Sequence, residues 1–239
     1  MKEQIYTIPI NEALDEGDGC PFCKIYRRLE KEAIDYTLGP AMMDPSFRII
    51  TNDKGFCKRH VRDLLGHRQA LSLSLVMDTH MAQVMSLLEK GSVPQKKKLF
   101  KKEGQSPEDF VLRLRRTAVS CAVCSRIDNT FTRYFETFVF MLKTENKFLN
   151  KVLSKDGFCV THFARLAQAS LSGLSEKEYK EYFLPLVVHQ KEKMEKIHQD
   201  IKKFSDSFDY RNAGKTLSVP KDTLQRACML VNGEFEPID

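Results

Sequence analysis

A chain of 239 residues, 42% hydrophobic with a mean hydropathy of -0.38, is long enough to bury a core as one large domain or two small ones. Its net charge of +6 owes much to Lys96, Lys97, Lys98, Lys101 and Lys102, and the rest is nearly balanced, which excludes a nucleic-acid footprint spread over the whole molecule. The opening MKEQIYTIPI lacks the shape of a signal peptide and no apolar run reads as a membrane span, so the sequence predicts a cytoplasmic protein with reduced thiols and no membrane partner.

Residues 1–18 are polar, and Ile8 and Ile10 flank a proline, which predicts an extended arm. Asp18 or Gly19 can cap a helix that starts at Cys20, with Pro21 at its tolerated first position. Phe22, Ile25, Tyr26, Leu29, Ala33 and Tyr36 then recur at helical spacing until Gly39-Pro40. Asp44-Pro45 opens a short helix through Ile50, and residues 51–55 read as a turn. From Phe56 one long helical pattern runs to Leu88, with Gly66 as an interior weak point. Residues 91–106 read as a basic linker. Ser106 with Pro107 opens the next helix, which carries Glu108 and Asp109 in its first turn.

A helix from Val123 follows, and its aromatic set Phe131, Tyr134, Phe135, Phe138 and Phe140 reads as core. Another helix starts at Cys159. Ser175 with Glu178 forms a capping box for one more, after a break around residues 172–174 that the first half lacks. Residues 221–232 make a last helix, and no segment has a strand period. The class is all-α, organised as a first repeat over 1–90, the linker, a second repeat over 107–207 and a tail over 208–239.

The repeats are defined by their cysteines. Cys20-Pro21-Phe22-Cys23 is followed after 33 residues by Cys57, inside Gly55-Phe56-Cys57-Lys58-Arg59-His60. Cys121-Ala122-Val123-Cys124 is followed after 34 residues by Cys159, inside Gly157-Phe158-Cys159-Val160-Thr161-His162. Six of the seven cysteines fall in this pattern, and Cys228, among apolar neighbours, reads as a buried thiol. Cysteines at helix starts face unsatisfied N–H groups that lower their pKa, and a Cys and a His three apart share a helix face. Two such helix ends converging offer three thiolates and an imidazole, a donor set suited to tetrahedral zinc. The expected ligands are Cys20, Cys23, Cys57 and His60 in the first half, and Cys121, Cys124, Cys159 and His162 in the second.

Other readings stand beside this one. The cysteines could be small buried residues, and an iron–sulfur cluster could use the same ligands. CPFC also matches a glutaredoxin-like dithiol, which would make the protein a thiol redox enzyme, although no strand precedes it. The lysine run could touch nucleic acid or an acidic partner. No phosphate loop, dinucleotide fingerprint, zinc-protease helix or nucleophile elbow occurs, and four protein ligands close a zinc site to substrate. These points favour two structural zinc ions and a protein-interaction module over an enzyme.

The chain resembles an uncharacterised bacterial family of helical proteins with CPxC near the start, G-(L/F)-C-x2-H downstream and a DYR motif before a final helix. Here the matching residues are Cys20 to Cys23, Gly55 to His60 and Asp209-Tyr210-Arg211, and CAVC departs from the proline form. The resemblance implies a helical fold and a bacterial cytosolic setting, with no assigned activity.

Overall fold

The computed structural model describes residues 4–92, 106–210 and 219–234. Among them there is helix and no strand. The helices are α1 (Gln4–Asp15), α2 (Pro21–Leu38), α3 (Pro45–Lys54), α4 (Lys58–Gly66), α5 (Ala70–Ser92), α6 (Pro107–Val119), α7 (Ala122–Thr144), α8 (Phe148–Leu153) and α9 (Val160–Gly173), then α10 (Glu176–Glu178), α11 (Leu184–Asp206) and α12 (Thr223–Asn232). A π turn, Tyr179–Phe183, joins α10 to α11, and a 3₁₀ turn, Pro40–Met43, precedes α3. Most of the linker and its lysine run lie outside the described residues, as do Arg211 and Asn212.

The caps behave as their residue types dictate. The Asp44 carboxylate accepts from the amides of Ser46 and Phe47 at the start of α3. Ser106 and Asp109 close a capping box on α6, and Ser175 and Glu178 close one on α10.

Three expectations change. The predicted arm is α1, because Ile10, Ala13 and Leu14 form one wholly buried helical face and Tyr6 meets Tyr134 edge-on at 4.9 Å. That burial outweighs the backbone bond that Pro9 cannot make. The predicted turn over residues 51–55 is the last turn of α3, ended by Gly55 at φ 57. The single long helix from Phe56 is broken after Gly66, where Arg68 adopts a positive φ of 54, so both halves carry a break at this stage of the chain.

One helix bears on the expectation that no run spans a membrane. Ala70–Gly91, within α5, is long and apolar enough by length and composition to cross a bilayer. Thr79 and His80 within it have partners on α3, however. Arg48 of α3 donates to the Leu75 carbonyl and to Thr79, each at 2.6 Å, and Thr79 in turn donates to Asn52 at 2.6 Å.

The compact units do not follow the sequence halves. A terminal unit holds Met1–Arg27 with Thr130–Asp239, and a middle unit holds Arg28–Asn129, with the boundary falling inside α2 and inside α7. The terminal unit has an aromatic core. Phe22 stacks on Phe135 at 4.1 Å and lies 5.3 Å from Phe138, which meets Phe148 edge-on at 5.0 Å. Phe140, placed in the core by its sequence, is 37% exposed. In the middle unit, α3 packs on α5, and Arg126 near the start of α7 lies 3.7 Å over the ring of Tyr36 near the end of α2.

Phe138 is wholly buried, and its replacement leaves a cavity among rings that cannot collapse into it. Phe138→Ala is expected to lower unfolding stability by about 3–5 kcal/mol, read by denaturant titration of the full chain.

Candidate metal centres

The structure brings all eight predicted residues into two groups of four, but it pairs them crosswise. Cys20 and Cys23 stand with Cys159 and His162, while Cys57 and His60 stand with Cys121 and Cys124. The ligand atoms of each group lie within 4.8 Å of one another. The pairing within each half, Cys20 and Cys23 with Cys57 and His60, and Cys121 and Cys124 with Cys159 and His162, is therefore corrected. Each group lies wholly inside one compact unit.

Unequal helix lengths accord with the exchange. From Cys20 the chain leaves along α2, 18 residues long, which at 1.5 Å per residue is roughly 27 Å. α3, which follows, has 10 residues, or about 15 Å, and does not by itself recover the length of α2. In the other half α7, at 23 residues, carries the chain about 35 Å away, and α8 returns 6 residues, about 9 Å. Each G-F-C turn is thus delivered to the C-x2-C of the opposite half.

Each turn is built for delivery. Cys57 and Cys159 are the N-caps of α4 and α9, with extended backbone and no side-chain cap bond, so their sulfurs are left for the cluster. Gly55 at φ 57 and Gly157 at φ 91 turn the chain just before. The next helix then clamps the turn. His80 of α5 bonds the Asn52 carbonyl at 2.9 Å, and His189 of α11 bonds the Lys155 carbonyl at 2.8 Å. These two histidines hold matching points of the turns. Gln190 adds a pair, accepting from the Phe158 amide at 2.9 Å and donating to its carbonyl at 2.7 Å. In the middle unit the Ala122 amide donates to the Gly55 carbonyl at 2.9 Å. Pro21, at the position matching Ala122 in CPFC, has no amide hydrogen to do the same.

In the terminal cluster, His162 Nδ1 lies 3.6, 3.3 and 3.2 Å from the sulfurs of Cys20, Cys23 and Cys159, and Cys23 and Cys159 are 3.7 Å apart. In the middle cluster, His60 Nδ1 lies 3.4, 3.3 and 3.3 Å from Cys57, Cys121 and Cys124, and Cys57 and Cys124 are 3.9 Å apart. A tetrahedron with Zn–S near 2.3 Å and Zn–N near 2.0 Å has S–S edges of about 3.8 Å and S–N edges of about 3.5 Å. The donor sets fit a single tetrahedral ion. No disulfide occurs among the described cysteines, and Cys228, expected buried, is only half-buried.

The surroundings of the clusters differ. Glu30 accepts from His60 Nε2 at 2.9 Å and also pairs with Arg59, which fixes the ring with Nδ1 toward the sulfurs. His162 sits instead among rings, 5.2 Å from Phe131 and 6.2 Å from Phe22. Gly233 and Glu234 close over the terminal cluster. The Glu234 amide donates to Cys23 Sγ at 3.4 Å, the Glu234 carboxylate pairs with Arg27, and Gly233 turns at φ 92 against the sulfurs. A Cβ on Gly233 would stand 3.5 Å from Cys23 Sγ and 3.6 Å from Cys159 Sγ.

Without metal the thiols are unequal. Burial opposes ionisation of Cys121, yet its bond with His60 brings it down to about 6. Burial likewise opposes the charged His60 ring, but its bonds with Cys121 and Glu30 hold it up at about 10. Bonds with Cys20 and Cys23 pull Cys159 well down. Burial pushes Cys20 well up, and the bond to Cys159 raises Cys23 to about 12. Hydrogen bonds thus favour ionisation at Cys121 in one cluster and at Cys159 in the other.

The fold and these clusters define an all-helical protein with two four-donor cysteine–histidine groups. Residues 1–237 match a family of unknown function, DUF6062, and the chain belongs to it. No curated protein matches the chain, and no solved structure does.

Gly55→Ala is expected to disturb the middle cluster, because its Cβ would collide with the His80 ring at a backbone conformation that L residues rarely adopt. The cost is of the order of 1–3 kcal/mol in unfolding free energy. Cadmium loading followed by thiolate-to-metal absorbance should show the loss at one site and retention at the other.

Proposed function

We propose that the protein binds one zinc ion at each cluster and that both ions are structural. The carrying observation is the convergence of three sulfurs and one imidazole nitrogen within 4.8 Å, twice. Four protein ligands leave no open position for substrate, which argues against catalytic zinc. An iron–sulfur cluster would need its thiolates spread over several irons, whereas these converge on a point. Each ion would tie the C-x2-C of one half to the G-F-C-x2-H of the other, supplying folding free energy on the order of 10 kcal/mol at neutral pH.

The matching clamps His80 and His189, the matching N-caps Cys57 and Cys159, and the two positive-φ glycines before them support descent of the halves from one duplicated unit. The helical surface then serves as an interaction module for a protein partner. Free thiols fit a reducing compartment such as a bacterial cytoplasm.

Thiol redox catalysis by Cys20 and Cys23 has less support, since an attacking sulfur needs a depressed pKa and these two are raised and buried. The lysine run on which a nucleic-acid regulator would depend lies outside the described residues.

Elemental analysis of chelator-free protein should give two zinc ions per chain, and less than one with unchanged folding would defeat the reading. Paired substitutions separate the crossed sites from sites within each half. Cys23→Ser with Cys159→Ser should lose one zinc, and Cys23→Ser with Cys57→Ser should lose both. Glu30→Gln should weaken zinc at the middle site roughly 10–100-fold in chelator competition and leave the terminal site unchanged.

A further inference from the structure

The two clusters differ in how far water reaches their sulfurs. In the terminal cluster Cys20, Cys23 and Cys159 are each at most 6% exposed. In the middle cluster Cys121 is buried as well, but Cys57 and Cys124 are only half-buried. Those two are also neighbours, with their sulfurs 3.9 Å apart. They come from different helix starts, Cys57 as the N-cap of α4 and Cys124 in the first turn of α7. The two sides of this cluster are joined without metal too. The Ala122 amide donates to the Gly55 carbonyl at 2.9 Å, Ser120 Oγ donates to the Lys54 carbonyl at 2.9 Å, and Lys54 Nζ donates to Ser125 Oγ at 2.7 Å. These bonds hold the turn before Cys57 against the start of α7 whether or not an ion is bound. A thiolate oxidises more readily the more it is exposed, and a second cysteine in reach converts the first product to a disulfide.

We propose that Cys57 and Cys124 are a peroxide-sensitive pair, which oxidises to a disulfide and gives up the metal of the middle cluster. The metal given up rests on the zinc reading above, whereas the choice of cysteines rests on exposure and distance alone. One thiolate attacks an oxygen of hydrogen peroxide, the O–O bond breaks, hydroxide leaves and a sulfenic acid remains. The second thiolate attacks that sulfur, the S–S bond forms, the S–O bond breaks and a second hydroxide leaves. Two protons from solvent turn both hydroxides to water. The two sulfurs lose two electrons, and hydrogen peroxide gains them. The sulfurs must close by about 2 Å, which the ties around Gly55 leave as a local adjustment. Cys121 and His60 are then the two donors left, too few for a closed four-donor site. The disulfide takes over the link between the starts of α4 and α7, so the unit stays joined and a dithiol reductant restores the site.

Hydrogen peroxide added to the zinc-loaded full chain tests this, with released zinc read by a chromogenic chelator and cysteine links by non-reducing peptide mass spectrometry. One zinc per chain is expected to leave at least about tenfold faster than the other, as the difference in exposure dictates. A Cys57–Cys124 link should appear with it, and dithiothreitol with added zinc should reverse both. Cys23→Ser with Cys159→Ser, which removes the terminal site, should still release its remaining zinc at the fast rate. Where that variant fails to fold, the link map of the wild type decides. Release of both ions at one rate overturns the proposal, as does a link between other cysteines, a sulfinic acid without a link, or thiols that stay reduced. Elemental analysis before peroxide keeps the two readings apart. Less than one zinc per chain at that point defeats the zinc reading, while the link map of the same sample still decides the cysteine pair.

Discussion

A helix cannot fold back on its own length, and this constraint bears directly on where the thiols meet. α2 carries the chain about 27 Å from Cys20 and α3 recovers only about 15 Å of it, while α7 and α8 are still less equal. Contacts inside each unit follow from this. Tyr36, near the end of α2, lies under Arg126 at the start of α7, beside the middle cluster's own helix starts. Phe22, at the start of α2, lies on Phe135 and Phe138, far along α7. The turn that follows each outbound helix therefore arrives where the other half begins.

Loop entropy does not resist the exchange. Pairing within a half would close a spacer of 33 or 34 residues. The crossed groups link positions 67 residues apart in the middle unit and 136 apart in the terminal unit. Each doubling of a flexible loop costs only about 0.6 kcal/mol, so twofold and fourfold extensions cost about 0.6 and 1.2 kcal/mol. Helix rigidity easily outweighs such a penalty.

These magnitudes show why the sequence revealed the donors and concealed the partnership. Cysteine spacing, the glycines at positions 55 and 157, and the caps Asp44, Ser106 and Ser175 are local signals, and each is realised. Which C-x2-C meets which C-x2-H depends on helix lengths, and the short return helices are where boundaries were least legible: α3 runs through residues that resembled a turn. α1 was missed because Ile8, which suggested an arm, is 60% exposed, while the face that buries it as a helix begins at Tyr6 and Ile10. Arg68 at positive φ, a conformation sequence favours for glycine, hid the break between α4 and α5.

The crossed arrangement also sets how the two centres depend on the chain. The middle cluster is assembled from one continuous stretch, so it can form once residues 28–129 exist as a chain. The terminal cluster needs Cys20 and Cys23 from one end, Cys159 and His162 from beyond the middle unit, and Gly233 and Glu234 to close over them. Its order comes last in the sequence and its surroundings are aromatic and buried, whereas Cys57 and Cys124 of the middle cluster are half-exposed and its histidine is held by Glu30. Two donor sets of the same composition thus occupy different environments. The middle one gains its hold from a carboxylate behind the imidazole, and the terminal one from burial and an amide donated by Glu234.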